Sequence, residues 1–149
     1  MSKNDKYKEK REPGQFMALT MEFMRSHVRR NLPRRAQKLL LDLLGQYNGS
    51  NNGDLCLAWK TMVPFDWKSK DTLAKATSDL LEKEVIMLTR QGGRNKASLF
   101  ALTMFAIDPC RHKNGLLKLD VNPTKFPPSK WRNHEPLPKL KSVIRKPKQ

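Results

Sequence analysis

Residues 68–104 have the sequence KSKDTLAKATSDLLEKEVIMLTRQGGRNKASLFALTM. Ser69 is a suitable N-cap residue, and the period of the apolar residues after it predicts an amphipathic helix over 70–84. The predicted buried stripe of this helix consists of Leu73, Ala76, Thr77, Leu80 and Leu81. Lysines surround the start of the helix and acidic residues gather toward its end, so the sequence predicts a helix whose exposed N-terminus is basic.

A hairpin is predicted directly after this helix. Residues 85–90 and 97–104 are rich in large apolar and β-branched side chains, which favour strands. Gly92-Gly93 between them allows a tight reversal of the chain. Three cations and no acid occupy residues 90–96, so the tip of the hairpin is expected to be basic.

Two further elements are predicted upstream. Leu32-Pro33 begins a helix, since proline is tolerated in the first turn, and its apolar face consists of Ala36, Leu39, Leu40, Leu43, Leu44 and Tyr47. Residues 48–53 favour turns and predict a loop. Leu55–Trp59 fits either a short strand or the start of a second helix that continues to Val63. Pro64–Trp67 then supplies the turn before Ser69.

The segment before Leu32 is less regular. Residues 16–19 fit a short strand, and the spacing of the methionines after it fits a helix over 20–30. This helix is either a dimerisation element or a cover over the core.

Composition divides the chain into three parts. Residues 1–14 are charged and lack apolar periodicity, which predicts disorder. Residues 15–121 are expected to form the compact domain. Residues 122–149 hold six of the ten prolines and predict an extended basic tail, with local packing through Phe126 and Trp131.

The charge balance indicates a polyanionic partner. The 149 residues carry a formal net charge of +16, and the sequence pI is about 10.2. Residues 1–14 contribute +2, residues 15–121 contribute +7 and residues 122–149 contribute +7, so the predicted domain is itself basic. A nucleic acid or an anionic membrane surface fits this balance. The alternative is a chain that uses lysine for solubility.

Other compartments and anchors have little support. The sequence has no apolar run near the ~20 residues that a membrane span needs, and no signal peptide is visible. Its two cysteines do not form a disulfide scaffold or a metal site. These features predict a cytoplasmic, nucleoid-associated protein.

The order of predicted elements is helix, short strand or turn, helix, turn, helix, strand, hairpin tip and strand. This order predicts a mainly α fold with a small β-hairpin (α+β), a winged helix-turn-helix over about 32–107. More narrowly, the chain resembles a family of small helix-turn-helix proteins from proteobacterial chromosomes, plasmids and prophages. The resemblance covers about 16–131 and rests on Gly45–Gly49, Asn51–Leu55, Trp67–Leu73, Thr89–Gly93 and Ala101–Thr103.

The predicted helix over 70–84, with the residues just before it, supplies the first set of candidate DNA contacts, namely Lys68, Ser69, Lys70, Thr72 and Lys75. In a helix-turn-helix protein, the N-terminal residues of the recognition helix reach base edges, and a helix N-terminus attracts phosphate. The alternative is a solvated helix face on which Ser69 acts only as a cap. Asp71 places a negative charge at the same end, where it suits the helix dipole or accepts from a cytosine amine.

The hairpin supplies the second set, namely Arg90, Gly92, Gly93, Arg94 and Lys96. Glycines allow the backbone to approach phosphate or the minor groove closely. An ordinary hairpin turn explains the glycines equally well, but not the three cations. Arg34 and Arg35 are candidate phosphate contacts, or the solvent side of a helix end.

No cofactor, metal or catalytic site is predicted. The three histidines are dispersed, and the sequence lacks a nucleophile elbow, a phosphate loop and a metalloprotease helix. Trp59 and Trp67 are candidate stacking platforms for single-stranded nucleic acid. Each adjoins an apolar segment, however, which favours a role in the core or in turn packing.

The sequence therefore predicts a non-enzymatic protein that binds double-stranded DNA, as a transcriptional regulator or a replication-control protein of a bacterium or mobile element. A homodimer is left open. The main alternative is a winged-helix interaction module for an acidic protein or RNA, with a protein partner on the C-terminal tail. A charge-driven membrane role is weaker, because the tail offers little apolar area.

Overall fold

The computed structural model describes residues 10–138, which form an α+β fold with a three-stranded antiparallel sheet. Predictions for residues 1–9 and 139–149 lie outside this range. None of the described helices has the length and apolar character needed to cross a membrane. The elements in chain order are α1 (Met21–Met24), α2 (His27–Arg30), α3 (Arg34–Gln46), β1 (Leu55–Cys56), α4 (Trp59–Met62), a 3₁₀ helix (Val63–Phe65), α5 (Lys70–Glu82), β2 (Ile86–Arg90), β3 (Leu99–Leu102) and a second 3₁₀ helix (Lys130–His134).

The two long helices, α3 and α5, pack against each other over the core. Helix α3 buries Ala36, Leu39, Leu40, Leu43 and Leu44, as its sequence period predicts. The buried stripe of α5 is narrower than predicted. It contains Leu73, Ala76 and Leu80, whereas Thr77 is half-buried and Leu81 is exposed. One flank of α5 is therefore left uncovered.

Both alternatives for residues 55–63 occur, one after the other. The short strand β1 leads into α4, which continues into the 3₁₀ helix around Pro64. Asp66 then takes a left-handed conformation with φ 66° and turns the chain. The hydroxyl of Ser69 accepts a hydrogen bond from the backbone N–H of Thr72 at 3.2 Å, so Ser69 is the N-cap of α5, as predicted.

The sheet has the order β1-β3-β2, with β3 in the centre. Both faces of β3 are covered. Phe100 and Leu102 pack into the core beneath the helices, while Leu99 and Ala101 pack on the opposite side. There they meet Ile107, Cys110 and Leu119, so the segment 107–121 forms a second layer over the sheet.

The hairpin between β2 and β3 reverses at Arg94-Asn95 rather than at the two glycines. The backbones of Gly93 and Lys96 exchange two hydrogen bonds, of 2.9 and 3.1 Å, around these residues. Asn95 carries the left-handed conformation, with φ 59°, which asparagine tolerates better than most residues. Neither Gly92 nor Gly93 has a positive φ, so the prediction that they supply the reversal is wrong.

The N-terminal part also differs from prediction. Residues 16–19 form no strand, and Phe16 is 64% exposed. The single helix expected over 20–30 is two short helices, because Ser26 interrupts it and caps α2 by accepting from the N–H of Arg29 at 3.1 Å. Phe23 and Val28 are buried, so these helices cover the core.

Residues 122–138 belong to the folded domain, and the predicted boundary at residue 121 does not match the packing. Trp131 is 2% exposed and meets Phe23 edge to face, with ring centroids 5.2 Å apart. The carboxylate of Glu135 accepts from the backbone N–H groups of His27 and Val28 at 3.1 and 3.0 Å. Phe126, in contrast, is exposed and makes no contribution to the core.

The C-terminal segment is also tied to the end of α5. His134 Nε2 lies 3.1 Å from the Glu84 carboxylate, and this contact holds the pKa of Glu84 below its usual value. Arg132 forms an ion pair with Glu22 of α1. The segment 129–135 thus joins α1, α2 and α5.

Candidate nucleic-acid interface

All five candidate side chains at the start of α5 are exposed, namely Lys68, Ser69, Lys70, Thr72 and Lys75. They surround the four backbone N–H groups that a helix leaves unpaired at its N-terminus. The hydroxyl of Ser69 accepts a hydrogen bond from one of these groups, the backbone N–H of Thr72. The lysines therefore extend into solvent beside the positive end of the helix dipole.

Lys75 is not a free cation. Its Nζ lies 2.9 Å from Oδ2 of Asp71 one turn earlier, and both side chains are mostly exposed. Such i,i+4 pairs contribute about 0.3–0.5 kcal/mol, so a phosphate or a base could displace the contact at small cost. The pair places one positive and one negative group side by side on the outer face of α5.

A cleft of about 370 Å³ lies between the start of α3 and the start of α5. Arg34, Lys68, Ser69 and Thr72 all line it, which brings the candidate arginines next to the candidate helix contacts. Among residues 10–138, Arg34 and Lys68 have no ion-pair partner.

Arg35 faces the same cleft, but its guanidinium already forms an ion pair within the protein. Its Nε and one terminal nitrogen donate to the two carboxylate oxygens of Asp79 at 2.7 and 3.3 Å. This hydrogen bond raises the pKa of the Arg35 guanidinium. Arg35 therefore joins α3 to α5, and its role as a phosphate contact is weakened.

The candidate residues of the hairpin fall into two groups, those exposed at the tip and those that contact the rest of the hairpin. Arg94 and Lys96 are exposed at the tip. Arg90 instead crosses the hairpin, where its guanidinium donates to the carbonyl of Ala97 at 2.8 Å. Gly92 is needed for space, since a Cβ there would lie 2.5 Å from the backbone nitrogen of Ser98, whereas Gly93 has open space around it.

A groove of about 440 Å³ connects the helix to the hairpin. Lys70 and Ala74 line it from the N-terminal half of α5, and Ala97 and Ser98 line it from the hairpin. Trp59 also lines the groove, with the Lys70 ammonium 5.9 Å from the centre of its ring. One groove therefore borders both the N-terminal half of α5 and the hairpin, and Lys70 is the cation that lines it.

These elements carry more cations than acids. Residues 34–35, 68–75 and 90–96 contain eight Lys or Arg side chains and one acid, Asp71, and Asp66 lines the cleft beside α3. Three of the eight cations already have an internal contact, namely Arg35, Lys75 and Arg90. Two acids toward the far end of α5 have internal partners, since Asp79 pairs with Arg35 and Glu84 with His134. That this end lies away from DNA stays a prediction.

Sequence reasoning missed the groove. Trp59 is half-buried and packs against the core, as expected, but it also lines the groove, whereas Trp67 is 5% exposed and donates to Asp42 at 2.8 Å. The sequence did contain one signal for the groove, namely the small residues Ala74 and Ala97, which leave room on the uncovered flank of α5.

Neither a protein-family model, nor a curated protein, nor a solved structure matches the chain. Within residues 10–138, no group of three or more His, Cys, Asp or Glu side chains is arranged to hold a metal ion. The function must therefore be inferred from the geometry.

Proposed function

We propose that this chain is a non-enzymatic winged helix-turn-helix protein that binds double-stranded DNA, and that it regulates transcription or controls replication. In this proposal α4 and α5 form the helix-turn-helix unit, α5 is the recognition helix and the β2–β3 hairpin is the wing. The order of α3, β1, α4, α5, β2 and β3, together with the sheet order β1-β3-β2, supports this assignment.

One observation carries the proposal. The start of α5 and the hairpin border one groove beside Trp59, and each of these two elements carries exposed cations. A helix that enters the major groove and a hairpin that follows the backbone need this arrangement. Cations scattered for solubility alone would not need it.

The proposed mechanism separates affinity from readout. Lys68, Arg94 and Lys96 neutralise phosphates and release counterions, and Arg34 extends this contact along the cleft beside α3. Thr72 and the Asp71–Lys75 pair face the base edges. Because Asp71 repels phosphates, it lowers binding to random sequence, and it can accept from a cytosine amine in the preferred site.

The first prediction concerns Lys68, Arg94 and Lys96. Replacing all three with alanine should lower the salt dependence of duplex affinity, because each lost phosphate contact reduces the slope of log affinity against log salt by ~0.9. We expect a slope smaller by about 2.7 and a marked loss of affinity at 50 mM salt. Fluorescence anisotropy with a random 20-base-pair duplex measures both quantities.

The matched control removes the same number of charges elsewhere, at Lys83, Lys113 and Lys125, all of them exposed. Lys83 lies at the far end of α5, and Lys113 belongs to the layer on the opposite face of the sheet. If both triple variants lose the same affinity, the interface is not on the α5–hairpin side. Absence of duplex binding by the unmodified protein at 50 mM salt would favour the interaction module instead.

A further inference from the structure

The groove between α5 and the hairpin has a floor and walls suited to a flat ring. Leu73 and Phe100 line it with apolar groups, and the small side chains of Ala74 and Ala97 keep it open. Trp59 supplies an aromatic face at one side. The groove is open to solvent, and Lys70 lines it from the start of α5.

Trp59 differs from the other two tryptophans in its exposure. Trp67 and Trp131 are 5% and 2% exposed, and Trp67 uses its indole N–H for a hydrogen bond to Asp42. Trp59 is half-buried, and its indole N–H has no acceptor within the described chain. Among the described residues, only Trp131 has an indole N–H that is both buried and without a hydrogen-bond partner, so the indole N–H of Trp59 is accessible to solvent. Part of the Trp59 ring is therefore available to a ligand.

The charge at the groove favours an anionic ligand. Lys70 is the one charged residue among those that line it, and no acid does so. Its exposed ammonium lies 5.9 Å from the centre of the Trp59 ring, so a stacking base displaces this weak contact and the ammonium then binds the adjoining phosphate. Aromatic rings combined with cations along a groove are the usual means of holding unpaired nucleotides.

We propose that this groove holds one unpaired base of the bound DNA, stacked on Trp59, with the adjoining phosphate on Lys70. The proposal rests on the proposed duplex binding, which brings the strand to the α5–hairpin side. The hydroxyl of Ser98, which lines the groove, accepts from the N–H of Gly92 at 2.9 Å and can still donate its own hydrogen to the edge of the base.

The base must be unpaired beforehand. Extruding a base from a perfect duplex costs a few kcal/mol, and the cost is smallest for a base that is already mismatched or single-stranded. The protein should therefore prefer duplexes that contain a bulge or a junction over perfect duplexes. A preference of this kind distinguishes base binding in the groove from the phosphate contacts, because phosphate contacts do not depend on whether the bases are paired.

The test compares three 20-base-pair DNAs that are identical except at the centre: a perfect duplex, a one-base bulge and a one-residue abasic bulge. The abasic bulge bends the DNA without offering a base, so the ratio of affinities for the two bulges isolates the base contact. We expect a ratio of about ten, since stacking on an aromatic side chain typically contributes this much or more. With 5-iodouracil as the bulged base, ultraviolet cross-linking and mass spectrometry should locate the adduct at Trp59.

Three variants define the groove. Trp59→Leu removes the stacking ring, and Ala74→Leu fills the groove from an exposed helix position that tolerates a larger side chain. Both should reduce the ratio to about one. Trp59→Phe keeps an aromatic face and should retain a ratio well above one. Ala74→Leu keeps the test valid if Trp59→Leu does not fold.

The outcomes separate the two proposals. A ratio of one with the unmodified protein, together with normal binding to perfect duplex, overturns the groove assignment and leaves the proposed function intact. The groove would then suit an apolar side chain of a partner protein. Failure to bind any of the three DNAs overturns both proposals. Binding to the base bulge alone supports the groove and overturns duplex recognition.

Discussion

Asn52 shows how much of the fold depends on a single polar residue. It is fully buried, and its amide nitrogen donates to the carbonyls of Leu102 and Ala106, both at 2.9 Å. Its side-chain oxygen accepts from the N–H of Leu102 at 2.8 Å. Asn52 therefore connects the loop before β1 to the end of β3 through hydrogen bonds. No periodic pattern in the sequence could reveal this connection.

Replacing Asn52 with alanine should be severely destabilising. Several buried backbone groups would lose their partners, at about 1–3 kcal/mol for each group left unsatisfied. We expect a loss of about 3 kcal/mol or more in the free energy of unfolding, measured by urea denaturation.

The neighbouring Asn51 provides the control for this substitution. Its side chain donates to the carbonyl of Gln46 and accepts from the N–H of Asn48, both at 2.9 Å, but the residue is half-buried, so water can replace these contacts. Asn51→Ala should cost about 1 kcal/mol or less. Equal losses for the two variants would show that the Asn52 network contributes no more than an ordinary loop contact.

At the scale of the element, the hairpin illustrates why adjacent glycines are not equivalent. Gly92 is confined by the opposite strand, where the backbone nitrogen of Ser98 would lie 2.5 Å from an added Cβ. Gly93 faces open space and has an ordinary backbone conformation. The turn itself depends on Asn95.

Gly92→Ala should therefore distort the hairpin, whereas Gly93→Ala should leave it intact. The clash at Gly92 is with backbone, which cannot move aside as a flexible side chain would. We expect Gly92→Ala to lower the melting temperature by several degrees and to weaken duplex binding. Thermal unfolding followed by circular dichroism, with anisotropy on the same samples, measures both effects. Similar melting temperatures for the two variants would contradict the assigned role of Gly92.

At the scale of the whole molecule, the C-terminal segment closes the domain. Trp131 covers Phe23, and Glu135 caps α2, so residues far apart in sequence complete one core. The indole N–H of Trp131 has no acceptor in the described residues. Since an unpaired buried donor costs about 1–3 kcal/mol, the burial of the ring must outweigh this cost.

Two truncations test this closure. A chain that ends at residue 121 should be strongly destabilised or unfolded, because it exposes Phe23 and leaves the N-terminus of α2 without its carboxylate. A chain that ends at residue 138 keeps both contacts and should retain a cooperative melting transition, while it loses the charge of residues 139–149. Differential scanning calorimetry measures both. If the chain that ends at 121 melts normally, the segment 122–138 is an appendage and not part of the core.

The sequence by itself determined the local features of this protein. It predicted helix α3, helix α5 with its Ser69 cap, and the two strands of the hairpin, because helical period, capping and β propensity act over a few residues. Its charge distribution also selected the end of α5 and the hairpin as candidate contacts. Recognition of DNA by these contacts stays a prediction.

Only the tertiary structure decided which side chains are available. It placed Trp59 in a groove and Trp67 in the core, bound Arg35 to Asp79 and Arg90 to Ala97, and brought Trp131 to Phe23. The physical reason is distance along the chain. Arg35 and Asp79 are 44 positions apart, and Glu135 and His27 are 108 apart, so packing of the whole core determines whether such groups meet.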